Sequence, residues 1–362
     1  MAEKTRPKLV SLKGEPVKSG GAKPGKQAIT SYDVARHAGV SQSAVSRCFK
    51  PGASVSAKMR ERVMKAAAEL GYEPNAIARS LITRRSNLVA ILISNLTNLY
   101  YPEVLAELTQ RFSARDVRVL LFSLKSEADA NETLQQIWPY RVDGVIAAAE
   151  LSPDHVAEFE KRHVPLVFYN RHLNGAPVSS VCCDQEDGAR QLVDGLYSAG
   201  HRRFAIFAGP PESVVGVERK TAALERLEEL GCDDAPVFEG DYSYESGVSL
   251  ADALMQTASD RPDAVICAND VMAIGALDAF RVNHGLEAPT DISVVGFDGV
   301  GPSSWKSYNL TTVRQPVRRM TEAAVSMLMS IIEEPGAPQE KRVFSGILRL
   351  GSSASLVDVR TD

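Results

Sequence analysis

Apolar residues recur along this chain in two rhythms that change near residue 88. Between residues 29 and 73 they come in short bursts: Val34, Ala35 and Ala38, then Val45 and Phe49, then Val55, Met59, Val63, Ala67 and Leu70. Spacings of three and four put each burst on one face of a helix. The boundaries are marked as well. Thr30 opens a T-x-x-D start box ending at Asp33, Gly39 supplies the left-handed backbone a sharp turn needs, and Ser41 and Ser56 stand at the capping positions of two further helices. Gly71 closes the third helix. The second helix turns Gln42, Ser43, Ser46 and Arg47 away from its apolar face.

From residue 88 the rhythm becomes one of short apolar runs separated by amphipathic stretches. The runs predict strands at Leu88–Ile93, Val117–Leu124, Val142–Ala148, Pro165–Tyr169, Phe204–Ala208, Ala264–Ala268 and Ile292–Phe297. Between them, Tyr101–Ala114, Glu127–Trp138, Glu186–Ala199, Val217–Leu230, Ser246–Met255 and Val271–His284 read as helices. Apolar strands alternating with helices signify βαβ units and parallel sheets. Two successive sets predict an α/β body of two doubly wound lobes, and ligands of such sheets sit outside the carboxyl ends of the strands. Asn95, Tyr100, Tyr101, Arg171, Arg219, Asn269 and Asp298 fall at or just beyond those ends, and they are side chains that grip hydroxyls and carboxylates. Plainer roles stand beside these: Asn269 as the cap of the helix from Val271, Asp298 as an acceptor within its own turn. Trp305 either stacks on a ligand ring or fills the lobe interface.

The chemistry of the first segment suits DNA. Helix, Gly-containing turn and polar-faced helix form the helix-turn-helix pattern, whose second helix lies in the major groove. Gln pairs with adenine, Arg with guanine, and Ser with several base edges. Charge reinforces the division: residues 1–87 hold 17 Lys and Arg against 6 Asp and Glu, and residues 88–362 hold 24 against 39. A net −4 thus hides a basic head on an acidic body, which attracts phosphates with one end only. Residues 1–28, with Lys4, Arg6, Lys8, Lys13, Lys18, Lys23 and Lys26 among Gly and Pro, read as a disordered basic tail with no signal-peptide core. No run of 18 apolar residues predicts a membrane span. The five cysteines (Cys48, Cys182, Cys183, Cys232, Cys267) lack metal-ligand spacing and fit a reduced, cytoplasmic protein. No Walker A, G-x-S-x-G, H-E-x-x-H or triad pattern is found, which speaks against an enzyme, a metal site or a cofactor.

The runs S-Y-D-V-A-R-H-A-G-V-S, V-S-A-K-M-R-E-R-V and L-G-Y-E-P-N, with A-R-S-L after them, resemble the lactose-repressor/purine-repressor (LacI/GalR) family of bacterial transcription regulators. The resemblance continues to near the C-terminus. It implies a hinge helix opened by Pro74 and Asn75, with Ala78 on it and Leu81 as a minor-groove wedge; from the residues alone Leu81 reads instead as an ordinary core leucine. It also implies a body like that of periplasmic binding proteins, with an effector between the lobes. Asn269-Asp270 before M-A-x-G-A-L, and Gly296-Phe297-Asp298 before the L-T-T-V-x-Q-P crossover, match effector positions, as does Arg219. Val215, Val217, Ala222 and Leu350 depart from the family pattern.

The expected organisation is a tail at 1–28, a DNA-binding domain at 29–73, a hinge and linker at 74–87, a first lobe at 88–185 with 316–340, and a second lobe at 186–315 with 341–362. The expected DNA-binding residues are Thr30, Ser41, Gln42, Ser43, Ser46, Arg47, Lys50, Ser56, Asn75, Ala78 and Leu81. The expected protein is a homodimeric repressor of a pseudo-palindromic operator in double-stranded DNA. Its effector is a sugar, sugar acid or phosphosugar, with the Arg171/Arg219 pair pointing to an anion. A solute-binding protein would share the lobes but has no use for residues 29–81.

Overall fold

The computed structural model describes residues 29–50, 52–73, 85–94, 96, 98–124, 129–173, 178–257 and 261–359. The expected tail, the hinge residues Asn75, Ala78 and Leu81, and Asn95 lie outside the described residues. The chain divides into two compact units, residues 1–79 and 80–362.

The first unit holds α1 (Ser31–Ala38), α2 (Gln42–Cys48) and α3 (Ala57–Leu70). Asp33 N–H donates to Thr30 Oγ1 at 3.4 Å while Thr30 N–H donates to the Asp33 carboxylate at 3.0 Å, a reciprocal box that satisfies two otherwise orphaned groups. Gly39 ends α1 at φ 59°, a conformation costly for any residue with a Cβ, so the chain turns at once into α2. Ser41 and Ser56 accept from Ala44 and Met59 N–H at 3.2 and 3.3 Å and start the next two helices. Val34, Val45, Cys48, Val63, Ala66 and Ala67 are buried together, with Phe49 and Tyr72 meeting edge to face at 5.7 Å beside them.

The second unit contains two sheets. The first is built from β1 (Leu88–Ser94), β2 (Arg118–Leu124), β3 (Gly144–Ala148), β4 (Leu166–Tyr169), β5 (Ser179–Cys183) and β11 (Lys341–Phe344), ordered β11-β5-β4-β3-β1-β2 and parallel throughout. The second is built from β6 (Phe204–Ala208), β7 (Val237–Glu239), β8 (Ala264–Cys267), β9 (Ser293–Asp298), β10 (Thr311–Arg314) and β12 (Ile347–Arg349), ordered β12-β10-β9-β8-β6-β7. Only β12 in that sheet runs antiparallel. The intervening helices are α4 (Tyr100–Ser113), α5 (Ala130–Ile137), α6 (Pro153–Lys161), α7 (Gln185–Ser198), α8 (Val214–Glu229), α9 (Tyr244–Thr257), α10 (Asp270–His284) and α11 (Val317–Glu333). Ile91, paired with Leu121 on one side and Ile146 on the other, is fully buried, as a strand covered on both faces requires.

The chain crosses between the sheets at three places: Asp184, Gln315-Pro316 and Ser345-Gly346. The last corrects the expected lobe boundary at 341, because Arg342 pairs with Val181 in the first sheet. Residues 341–344 therefore belong to the first lobe. Their exposed edge position explains why K-R-V-F did not read as a strand. The strands β5, β7, β10, β11 and β12 and the helices α6 and α11 are additions to the sequence reading. Among the described residues no helix is long and apolar enough to cross a membrane, and no cluster of His, Cys, Asp and Glu is arranged to hold a metal.

Candidate functional site

In the first unit the outward side of α2 carries Ser43, Ser46 and Arg47 exposed, with Gln42 half-buried, and Lys50 is exposed just beyond its end. Ser43 Oγ lies 3.0 Å from Ser41 Oγ, and Gln42 Nε2 donates to Ser31 Oγ at 3.3 Å. Arg47 makes no side-chain contact of this kind with the described residues. Thr30, Ser41 and Ser56 are helix caps at the same time as they are exposed, so their side-chain oxygens already accept a backbone N–H.

In the second unit the strand ends converge as the topology demands. A cleft of about 280 Å³ opens where the carboxyl ends of both sheets meet. Ser94 closes β1, Glu150 follows β3, Asn170 and Arg171 follow β4, Ser213 follows β6, and Asp298 closes β9; all line it, with Tyr100 and Tyr101 from α4. Three non-glycine residues on its wall hold positive φ: Asn170 at 53°, Tyr242 at 68° and Asp298 at 113°. Such strain persists only where the surroundings fix it, and it gathers at functional sites.

The floor is a closed ring of buried polar groups. Asn170 Nδ2 donates to Gln315 Oε1 (2.9 Å), Gln315 Nε2 to Asp298 Oδ1 (2.7 Å), and Arg219 Nη2 to the same oxygen (3.0 Å). Arg219 Nε donates to Gln185 Oε1 (2.8 Å), whose Nε2 returns to Asn170 Oδ1 (2.9 Å). Arg219 also lies 3.8 Å over the Phe297 ring. Two of the three interlobe crossings, at 184–185 and 315, are thereby stitched into one network. Burial raises the Asp298 carboxyl above its usual range, while the Arg219 guanidinium beside it pulls the other way. Arg171 is a second internal pair: Nη1 donates to Asn170 O at 2.7 Å, Nη2 to Tyr101 Oη at 3.4 Å, and Nε sits 3.7 Å from Glu150 Oε1. Burial opposes its charge, yet Tyr101 and Glu150 raise its pKa overall. Tyr100 and Tyr169 hydroxyls meet at 3.2 Å, both pushed up by burial.

Of the residues expected here, Tyr100, Tyr101, Arg171, Arg219 and Asp298 come together in the cleft. Asn269 does not line it: fully buried, it caps α10 through Met272 N–H (2.9 Å) and donates to Tyr242 O (3.1 Å), so both polar ends are used. It supports Tyr242 instead. Trp305 stands apart, 60% exposed beyond the short turn Gly301–Ser304, where its N–H bonds to Pro302 O. The sequence reading missed Glu150, Ser213, Tyr242 and Gln315. The strand-end rule would have found Glu150, which directly follows the Val142–Ala148 run by two positions; Tyr242 follows β7, a strand too short to be recognised.

Comparison with known proteins agrees with both units. Residues 30–75 match the bacterial regulatory proteins, lacI family, and residues 193–354 match the periplasmic binding protein-like domain. The HTH-type transcriptional regulator CelR of Thermobifida fusca is 34% identical over 310 residues, 83% of this chain and 90% of that protein. Catabolite control protein A of Priestia megaterium is 30% identical over 305 residues, 83% of this chain and 91% of that protein. The solved lac repressor dimer bound to operator and the anti-inducer ONPF superposes with a TM-score of 0.83 at 29% identity, covering 91% of this chain and 100% of that one. Two of these are named as a transcriptional regulator and a repressor, the third as a control protein, and none as an enzyme. With a helix-turn-helix unit, a binding-protein-like body and relatives matched over most of its length, the chain belongs to the lacI family of bacterial regulatory proteins.

Proposed function

We propose that this repressor binds a pseudo-palindromic operator as a homodimer and is switched by a small neutral polyhydroxylated ligand, a sugar, held in the cleft. Two copies are needed because one small head buries too little surface for tight specific binding. The solved lac repressor dimer on its operator supports this assembly by analogy. Gln42, Ser43, Ser46, Arg47 and Lys50 face the duplex, and Thr30, Ser41 and Ser56 orient the helices against phosphates. Asn75, Ala78 and Leu81 act as the hinge and wedge that the family resemblance implies.

One observation carries the ligand class: both cleft arginines are already neutralised, Arg219 by Asp298 at 3.0 Å and Arg171 by Glu150 at 3.7 Å. Glu212 adds a further negative charge at the rim. With both charges already matched, the Arg pair that pointed to an anion in the sequence supports a neutral ligand instead, and the wall adds the hydroxyls of Ser94, Ser213, Tyr100, Tyr101 and Tyr242. A similar solved structure, a transcriptional regulator CelR–cellobiose complex, supports a sugar. Ligand-induced closure works as a difference in affinity between two arrangements of the lobes.

The test has two arms. A labelled duplex from the protein's own promoter is titrated with the full chain, with and without sugars; failure to bind any duplex at low salt overturns the regulator. A thermal-shift panel pairs neutral aldoses with their uronic acids and phosphate esters. Stabilisation by neutral members is expected, and stabilisation by charged members alone overturns the neutral ligand.

A further inference from the structure

We propose that Glu150 is a specificity-determining residue: a built-in anion that occupies the place an acidic ligand group would take, and so excludes acidic effectors. The inference rests on the neutral-sugar reading of the cleft.

Glu150 lies two residues past the end of β3, in the first lobe, and its carboxylate faces two positive features at once. Oε1 accepts the backbone N–H of Val214 at 2.9 Å. Val214 is the first residue of α8, a 16-residue helix of the second lobe whose N-terminus Ser213 caps. The same oxygen is 3.7 Å from Arg171 Nε, in the first lobe. Both side chains are largely sequestered, Arg171 at 11% and Glu150 at 20% exposure. Arg171 Nε is buried without a hydrogen-bond partner, while the other two nitrogens of that guanidinium are held by Asn170 O and Tyr101 Oη.

A guanidinium and a helix N-terminus aimed at one point are the two elements from which proteins build carboxylate and phosphate sites. Here the protein supplies the anion itself. A ligand carboxylate or phosphate entering the cleft meets Glu150, Glu212 and Asp298 rather than a free cation. Because the carboxylate reaches from one lobe to the helix of the other, it also ties the lobes together. A neutral sugar leaves that tie intact, and an acid must break it.

Removing the charge converts the cleft. Inorganic phosphate, titrated by calorimetry and thermal shift into the full-length protein, is expected to bind Glu150→Ala saturably and at least about tenfold more tightly than the original protein. The gain is expected to vanish in the Glu150→Ala/Arg171→Ala double variant. Glu150→Gln keeps an acceptor for Val214 N–H while dropping the charge; it is expected to move in the same direction and serves if the alanine variant does not fold. Phosphate affinity unchanged in the variants, or a gain that survives loss of Arg171, overturns the inference. The panel of neutral and acidic sugars on the original protein separates the two readings. If that protein selects neutral sugars and the variants gain nothing, only the role of Glu150 falls. If it binds acidic sugars alone, both fall; if it binds acidic and neutral members alike, only the role of Glu150 falls.

Discussion

Arg47 and Asp270 show how differently single residues act in the two units. Arg47 stands exposed on α2 without an internal partner among the described residues, free to reach a guanine edge. Arg47→Ala is expected to cost about 1–3 kcal/mol of operator binding and to relax base choice at one position, measured by competition with single-base operator variants. An equal loss on all sequences would make it a phosphate contact. Asp270 is the opposite case. Fully buried, it accepts from Val300 N–H at 2.8 Å and from Thr312 Oγ1, yet burial and then the nearby Asp298 charge push its carboxyl up to about 8. The folded protein thus holds that proton more tightly than the unfolded chain, whose carboxyl titrates near 3.8. The stability from this group is full below about pH 4, falls as pH rises towards 8, and is flat above. Urea unfolding from pH 5 to 9 is expected to show that decline in the original protein and a flatter profile in Asp270→Asn. An unchanged slope in the variant would assign the decline to other groups.

The elements differ in how far they are set locally. The helices of the DNA-binding unit are marked by caps and a turn within a few residues, so Thr30, Gly39, Ser41, Ser56 and Gly71 are legible without any tertiary information. Ser56→Ala is expected to destabilise that unit by about 1 kcal/mol, read as a lower melting transition, because Met59 N–H loses its acceptor. Ser56→Asp should restore it; a variant as stable as the original would show that packing alone starts α3. In the body, strands of four or more apolar residues announced themselves. The polar S-S of β5 and the charged start of β11 did not, since each becomes a strand only beside a neighbour that pairs with it. Helix α8 begins at Val214, earlier than its apolar pattern suggested, because Ser213 caps it through Gly216 N–H at 3.3 Å.

For the whole molecule, charge distribution sets the salt dependence. The first 28 residues carry seven Lys and Arg against two Glu. Each phosphate neutralised steepens the log-affinity against log-salt slope by about 0.9. Deleting residues 1–28 is expected to make that slope shallower while leaving operator preference unchanged, measured by fluorescence anisotropy between about 50 and 200 mM salt. An unchanged slope would take the tail out of DNA binding. Coupling between operator and effector is reciprocal: whatever factor an effector applies to operator affinity, the operator must apply to the affinity for that effector.

The sequence by itself determined the DNA-binding unit, the two-lobed α/β plan and the strand ends that would carry a site, because each rests on local signals: caps, periodicity and runs of charge. It also supplied Arg171 and Arg219 as cleft residues. Only the tertiary structure decided what those arginines mean. Asp298 lies 79 residues from Arg219, and Gln315 lies 145 from Asn170, yet all four meet in one ring. Spacing along a chain carries no information about which charge is neutralised by which, and a buried cation's chemistry depends on that neighbour more than on its own identity.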